Sequence, residues 1–453
     1  MWHRLLCTAI LSVGIALLGD SASAAPIKLS PEQMRIAANT ALQSGDPQAA
    51  LTLAEALLQR DPNDLKALLL QARAARDLSR FETARTSARR AWSLSATREE
   101  RYASALVMAQ ALSSGGHKTR AQLWLRRAAQ NAPNAALKAL AVRDFGYVRA
   151  TNPLATHLRF SISPSSNINN GSKSDTLVIG GLAFDLSGDA RALSGLEYRF
   201  GGDLTWRKRL GADQVLRLGA SFDGRSYTLS GAAKAQAPDA RAADYRFFDL
   251  EFSLGSSKLA PSGQKITDVD LVAGQNWYGG AALTRYLRAS FGQRFKISPR
   301  TRLNYRLSAE RQWRLDKEIH SASVLTLSGG GQQALGRGAQ LGWTLGLRNT
   351  SSGSATIGHK AVFAGLRYLP RARLAGAKME WSLDLEKRDY DKRNFGILRQ
   401  DRRLSAGLTL FFQDVEYFGF APAITFSASR NSSNISLYEN DGFSMNLGLR
   451  SAF

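Results

Sequence analysis

The sequence predicts a two-part fold, a short α-helical solenoid of tetratricopeptide type followed by a transmembrane antiparallel β-barrel. Residues 25–150 are rich in Ala, Leu, Arg and Gln, which favour helices, and their pattern repeats at about 34 residues. From about Ala155 the hydrophobic period changes to two, in runs close to the roughly 9–11 residues that a tilted strand needs to cross a bilayer. The last twelve residues form one more amphipathic run that ends in Phe453.

The first 24 residues are typical of a secretory signal peptide. Arg4 supplies the positive start, residues 5–18 form a short apolar stretch, and the small residues before Ala24 offer a cleavage site. The single cysteine, Cys7, lies inside that apolar stretch. Removal of the segment is expected to leave a chain with no thiol, and therefore with no disulfide, thiolate metal site or cysteine nucleophile.

The chain is strongly basic, with 60 Lys and Arg against 37 Asp and Glu and a net charge of +23. Such a charge favours anionic partners, among them lipid phosphates, lipopolysaccharide, acidic polymers and acidic proteins. The predicted export argues against nucleic acid as a partner.

The helical repeat is carried by small residues where paired helices would touch. A glycine occupies the turn between two helices at Gly45 and at Gly116, with Ser79 in the middle copy, whereas Ala96 departs from the proline that closes the other copies. An ordinary alanine-rich bundle is the alternative interpretation. The aligned small residues are Ala38, Ala72 and Ala109 in one position, and Ala50, Ala84 and Ala121 in the other.

Alternating segments after residue 150 predict the barrel, which we place at residues 151–453. A soluble sheet with one wet face is the alternative. The length of the runs, the recurrence of glycine and charge on the inner face, and aromatic residues near strand ends favour a membrane barrel. We expect 14 strands, with 16 as the alternative. The aromatic residues assigned to the interfacial girdles are Trp206, Tyr245, Trp277, Trp313 and Tyr390.

Two similar segments, "SPSSNINN" from Ser163 and "RNSSNISLY" from Arg430, lie next to the first and last predicted strands. Closure of a barrel makes those strands neighbours, so the segments are expected side by side at the outer end of the closing seam. They are either turn-forming surface loops or parts of a seam that opens for a passenger. The predicted seam residues are Ser165, Ser166, Asn167, Asn169, Asn431, Ser433, Asn434 and Tyr438.

The final strand carries a second predicted signal. Apolar residues alternate along it and Phe453 ends it, a pattern similar to the assembly signal of bacterial outer-membrane barrels. The barrel assembly machinery is therefore an expected partner. The residues of this signal are Phe443, Met445, Leu447, Leu449 and Phe453.

Taken together, these segments resemble the surface lipoprotein assembly modifiers of Gram-negative outer membranes. The resemblance rests on "SPSSNINN" and on the C-terminal stretch that holds Arg399, Asp401, Gly419, Pro422, Asn431, Ser433, Asn434 and Tyr438. It implies an outer-membrane translocon that moves lipoproteins, or related secreted binding proteins, to the cell surface. It also implies that periplasmic repeats engage the passenger or its chaperones, and that there is no cofactor and no covalent chemistry.

Two other functions remain open at this stage. An outer-membrane hydrolase is disfavoured, because no Gly-x-Ser-x-Gly or His-Glu-x-x-His pattern occurs and His320 near Glu318 belongs to no recognised motif. A passive channel or a polysaccharide-export porin also joins a barrel to helical repeats. The basic charge, however, is spread over both predicted domains rather than confined to a conduit.

Overall fold

The computed structural model describes residues 28–179 and 181–453. The predicted signal peptide lies outside the described residues. The chain forms two compact units, residues 28–94 and residues 95–453. The first contains four helices. The second contains three helices followed by the barrel, one of whose loops holds a further short helix, Gly231–Gln236.

The helices of the first unit form two antiparallel pairs. Ser30 begins α1 with a capping box, in which its hydroxyl accepts from Gln33 N while the Gln33 side chain accepts from Ser30 N. Asp64 caps α3 and is also bound by Arg35 of α1, at 2.7 Å. These helices are α1 (Pro31–Gln43), α2 (Pro47–Arg60), α3 (Leu65–Asp77) and α4 (Phe81–Leu94).

The helices that precede the barrel in the second unit are α5 (Arg98–Ser114), α6 (Lys118–Asn131) and α7 (Ala135–Thr151). All six repeat-defining alanines, from Ala38 to Ala121, are at most 1% exposed, as close helix approach requires. The inter-helix turns use a left-handed residue at Gly45, Ser79 and Gly116, with φ of 82°, 59° and 81°. The tetratricopeptide assignment itself, and the boundary at residue 150, stay predictions.

Fourteen strands form one closed antiparallel sheet, which confirms the predicted fold class and the smaller of the two strand counts. A further two-residue strand, Arg373–Leu374, lies within a turn. The barrel strands are β1 (Leu154–Ser165), β2 (Gly195–Arg209), β3 (Gln214–Leu229), β4 (Phe247–Leu259), β5 (Lys265–Tyr278), β6 (Ala281–Lys296), β7 (Thr301–Arg314), β8 (Ala322–Ala334), β9 (Gln340–Ser352), β10 (His359–Leu369), β11 (Ala377–Asn394), β12 (Ile397–Phe411), β13 (Phe420–Ser433) and β14 (Asn440–Ser451).

The barrel wall is apolar outside and polar inside. Leu345 and Leu347 of β9 are 57% and 55% exposed on the outer face, whereas Arg348 faces inward and pairs with Glu386 of β11 at 3.5 Å. Inward Arg217 likewise lies 2.5 Å from Asp270. A wall with this arrangement fits a lipid exterior and a wet lumen.

The two ends of the barrel differ. One end, here called the loop end, carries residues 166–194 and 230–246, whose buried side chains Ile168 and Leu193 form a small core. The opposite end, here called the turn end, has short connections such as residues 297–300, and α7 leads into β1 there. Short turns at one end and long loops at the other are typical of outer-membrane barrels.

Two of the predicted girdle residues are placed differently. Tyr390 is only 8% exposed and lies inside the loop end, with the Arg399 guanidinium 4.3 Å from its ring centre. Tyr245 belongs to a short 3₁₀ turn and packs on the core of the loops. The girdle assignment was wrong for both, because proximity to a strand end does not say which face a ring takes. Trp206 and Trp313 do lie on the outer face, 39% and 45% exposed.

Candidate functional site

The seam between β1 and β14 is the most weakly paired joint of the barrel wall. Its register holds only Ser161 with Gly448, Ile162 with Leu447, and Ser165 with Ser444. On its other side β1 pairs with β2 along its whole length, from Leu154 to Ser165. Among the described residues, those from 154 to 160 have no register partner on β14.

A proline explains one gap in this ladder. Ser166 N donates to Phe443 O at 3.1 Å, so even-numbered residues of β1 direct their backbone groups towards β14. Pro164 is one of them and has no N–H to donate. The pairing is thereby interrupted between Ile162 and Ser165.

The two sequence segments predicted to meet at the seam do lie side by side at the loop end. The Ser166 hydroxyl accepts from Phe443 N at 2.9 Å, and the Asn167 amide donates to Asp441 O at 3.4 Å. Further along the first loop, Ser172 Oγ donates to Ser436 O at 2.8 Å. The first loop is therefore hydrogen-bonded to the start of β14 and to the β13–β14 connection. That these segments belong to a seam that opens for a passenger stays a prediction.

The β13–β14 connection is also pinned to β11 and β12. The Asn434 amide donates to Leu398 O and accepts from Gln400 N, both at 2.8 Å. The Tyr438 hydroxyl accepts from Asn394 at 2.6 Å, and Asn431 donates to Tyr438 O at 2.7 Å.

A buried ion pair lies beneath Tyr438. The Arg399 guanidinium is 3.4 Å from the centre of the Tyr438 ring and is bonded to Asp401 at 2.6 Å and 3.0 Å. Asp401 is 1% exposed and Arg399 is 8% exposed. Through the Tyr438 ring, this pair joins β12 to the β13–β14 connection.

The remaining predicted seam residues serve their own loops. Asn169 donates to Asp189 O and Arg191 O, both at 2.8 Å, inside the first loop. The hydroxyls of Ser165 and Ser433 accept from backbone groups two residues further on. These three residues therefore stabilise turns and make no side-chain bond across the seam.

The residues of the predicted assembly signal divide into two groups. Phe443, Met445, Leu447 and Leu449 lie on the outer face and are 39–61% exposed. Phe453 instead turns towards the helices, where its ring makes an edge-on contact with Phe145 of α7, with 5.3 Å between centroids. Their recognition by the assembly machinery stays a prediction.

Sequence reasoning missed the residue that organises the turn end. Arg126 of α6 is 9% exposed, and its guanidinium donates four hydrogen bonds to the last parts of the barrel. Burial, with the nearby charge of Arg149, lowers the pKa of the Arg126 guanidinium from its ordinary value. The acceptors are Phe418 O at 3.1 Å, Gly419 O at 2.8 Å, Ser451 Oγ at 2.9 Å and Phe453 O at 3.4 Å.

Aromatic rings surround the same guanidinium. Its carbon atom lies 4.3 to 5.1 Å from the ring centres of Phe145, Phe420 and Phe453. Two more contacts join the helices to the β12–β13 turn, because Gln130 accepts from Phe418 N at 2.8 Å and Lys138 pairs with Glu416 at 2.6 Å. We call this set of contacts the Arg126 clamp.

Gly419 is the position that makes the clamp possible. Its φ of 71° lies in the left-handed region, which disfavours other residues. A Cβ atom there would also collide with Arg126 Nη1 and with the Phe453 ring. The available sequence signal for Arg126 was a charge on the otherwise apolar face of α6, which includes Leu125 and Ala129.

No group of three or more His, Asp or Glu side chains in residues 28–179 and 181–453 is placed to hold a metal ion. Within the same residues no helix is both long enough and apolar enough to span a membrane.

Residues 366–453 match a family model described as surface lipoprotein assembly modifier. The match runs from within β10 to the end of β14, and it confirms the resemblance predicted from the sequence. No curated protein matches the chain at a significant level. The barrel, with its apolar outer face, is that of an outer-membrane protein.

Solved structures similar to this chain include three outer-membrane proteins. CdiB from Acinetobacter baumannii is 11% identical over 68% of each chain, with a TM-score of 0.32. Wzi, a carbohydrate-binding barrel involved in group 1 capsule assembly in Escherichia coli, is 10% identical over 72% of this chain and 91% of its own, with a TM-score of 0.32. The channel DcaP of Acinetobacter baumannii is 9% identical over 66% of this chain and 97% of its own, with a TM-score of 0.37.

Proposed function

We propose that this protein is an outer-membrane translocon that brings particular lipoproteins, or related secreted proteins, to the cell surface. The observation that carries the proposal is the seam. Ser166 and Asn167 bond across it at the loop end, and the Arg126 clamp holds the end of β14 at the turn end. Between these contacts, residues 154–160 of β1 have no register partner on β14. A barrel that served only as a pore gains nothing from an unfinished joint.

The orientation follows from the ends of the barrel. Short turns lie on the periplasmic side in outer-membrane barrels, so the turn end and α5–α7 face the periplasm. Helical repeats there are placed to meet a passenger or its chaperones before it reaches the barrel. The side-by-side loops at Ser166 and Phe443 then lie at the cell surface.

The work is non-enzymatic in this proposal. Energy comes from the passenger folding outside, or from its lipid anchor entering the outer leaflet. The basic charge of +23 favours acidic passengers and the phosphates of lipopolysaccharide. Inward ion pairs such as Arg217 with Asp270 add charged groups of both signs to the lumen.

Surface labelling tests the proposal. Intact cells with and without the gene are labelled with a membrane-impermeant biotin reagent, and labelled lipoproteins are quantified against their total amounts. We expect one or a few lipoproteins to lose surface labelling on deletion while their total amounts persist, and to regain it on complementation. Unchanged labelling of every lipoprotein would reject the translocon.

A passive channel is the second candidate, and a polar cavity in the barrel favours it. The cavity has a volume of about 570 Å³ and is lined by residues including Asn304, Thr344 and Arg367. Liposome swelling with small sugars separates the two functions. Rapid swelling together with unchanged surface labelling would favour the channel.

A further inference from the structure

The lower edge of β1, residues 154–160, combines three properties that do not coexist elsewhere along the seam. It lacks a register partner on β14, whereas its opposite edge pairs with β2 throughout. The alternation set by Ser166 directs the backbone groups of Thr156 and Leu158 towards the gap, whereas Phe160 O still lies against Gly448 at the end of the ladder. Its outward side chains are apolar except for Thr156.

The edge lies at the depth of the lipid. Trp206, on the outer face at the level expected of an interfacial aromatic residue, is the register partner of Leu154. Leu158 and Phe160 follow further into the wall. Leu158 is 83% exposed, the highest value among the large exposed hydrophobic side chains of the described residues, as a missing neighbour would cause.

The hydrocarbon of the bilayer cannot form hydrogen bonds with the unpaired backbone N–H and C=O groups of a strand edge. Each unpaired backbone group in the bilayer core costs several kcal/mol, so an exposed edge at this depth calls for a partner with backbone donors and acceptors. An extended polypeptide segment supplies both in the correct spacing, whereas an acyl chain supplies neither. The occupant must therefore be a β-strand.

The end of the last strand is held by β13 and by the helices. Ser451 is paired with Phe420 of β13, and Ala452 N donates to Gly419 O at 2.8 Å. Ser451 Oγ and Phe453 O are bound by Arg126. The Arg126 clamp thus holds the end of β14 against the helices, while β14 stays paired with β13.

We infer that residues 154–160 of β1 form a docking edge for an incoming antiparallel strand of the passenger, which the Arg126 clamp keeps open. This inference rests on the proposed function. The strand adds to β1 in the continuation of the β1–β14 register. Outward residues beside Leu158 and Phe160 must be apolar, and inward residues must be small or polar because they face His157 and the Arg159–Asp203 ion pair.

A peptide tests the edge without any passenger. The peptide MNLGLRSAF copies residues 445–453, of which 449–453 are those that the continued register would place beside residues 156–160. The control peptide carries Leu449→Pro and Ser451→Pro, at the two positions that would face Phe160 and Leu158. Amide hydrogen exchange of residues 154–160 is measured in the full chain in detergent, with β8 as an internal reference.

We expect fast exchange at the edge, slowed by about tenfold or more with the first peptide and unaffected by the proline peptide, since tenfold corresponds to ~1.4 kcal/mol of docking. Exchange at the edge as slow as in β8 without peptide would overturn the inference, as would equal exchange with both peptides. Slow exchange that appears only on raising the chain concentration would assign the edge to a second copy, and would overturn it too.

A photocrosslinking amino acid then tests the occupant in cells. It replaces Leu158, and in the control it replaces Leu345 on the fully paired β9. The probe is whichever lipoprotein loses surface labelling on deletion, expressed with an epitope tag. A crosslink at position 158 and none at position 345 is expected. Loss of labelling on deletion without any crosslink at 158 would leave the translocon standing and reject the docking edge.

Discussion

Replacing Arg126 with Ala should release α6 and α7 from the end of the barrel. The substitution removes four donors, and the bonds to Gly419 O and Ser451 Oγ, at 2.8 Å and 2.9 Å, are the shortest. A hydrogen bond from a charged group is worth ~1.5–3 kcal/mol. Counting only those two, and subtracting part of the gain because the guanidinium must be desolvated, gives about 3 kcal/mol of docking energy.

A loss of docking free energy of that size can be measured by amide hydrogen exchange. About 3 kcal/mol changes the docking equilibrium by roughly 100-fold. Phe418 N reports on docking directly, because it donates to the Gln130 side chain of α6. We expect its hydrogen exchange, measured with residue-resolved fragmentation, to rise by about that factor in Arg126→Ala.

Matched variants separate the clamp from general damage. Arg127→Ala removes an exposed arginine on the same helix, which lies 4.4 Å from the Trp124 ring and does not touch the barrel. Its Phe418 exchange should match that of the parent. Arg126→Lys keeps the charge but loses the planar fork, so an intermediate rate is expected. A Phe418 rate in Arg126→Ala within twofold of the parent, with Gln130→Ala fast, would refute the reasoning.

Three further predictions concern other parts of the chain. Ser79→Gly should raise the unfolding free energy of the helices by about 1 kcal/mol, seen as a higher Tm, because Ser79 has a φ of 59°; an unchanged or lower Tm would contradict this. Burial raises the pKa of Asp64, but hydrogen bonds from Arg35 and from a backbone amide outweigh burial and hold that pKa below 3.8. The ionised carboxylate therefore stabilises the folded helices above pH 3.8, and this stabilisation is lost as the pH falls through the lowered pKa. Acid unfolding followed by circular dichroism should show a weaker pH dependence in Asp64→Asn, and equal curves would exclude this role. Tyr438→Ala should speed exchange in residues 434–439 far more than Tyr438→Phe, which loses only the 2.6 Å bond to Asn394; equal effects would show that the ring contributes nothing.

The barrel was predictable because its physics is local. A period of two over long runs fixes strands, and outward side chains such as Leu345 and Leu347 alternate with glycine and arginine as lipid and water require. The prediction that the two Ser-Ser-Asn-Ile segments lie side by side followed from closure of the barrel alone. It needed no knowledge of side-chain geometry.

The clamp was not predictable in the same way. Arg126 and Gly419 are 293 residues apart in sequence and meet only because α6 returns to the barrel end. Nothing in the local pattern of α6 says which turn an arginine will reach. The prediction that Tyr390 and Tyr245 belong to the interfacial girdles was wrong for a related reason. Tyr390 stacks with Arg399 inside the loop end, and Tyr245 packs on the core of the loops, and neither contact is visible in the local sequence.

A reversible lock across the gap tests the account most directly. Phe160→Cys with Leu449→Cys allows a disulfide between the two positions that the β1–β14 register would pair next. The described residues contain no other cysteine. Leu307→Cys with Leu327→Cys joins two outward residues of the fully paired β7 and β8 as the control. The account predicts that oxidation of the first pair abolishes surface labelling of the passenger and that a reductant restores it, while the control pair has no effect. Normal labelling with the first pair fully oxidised would contradict it.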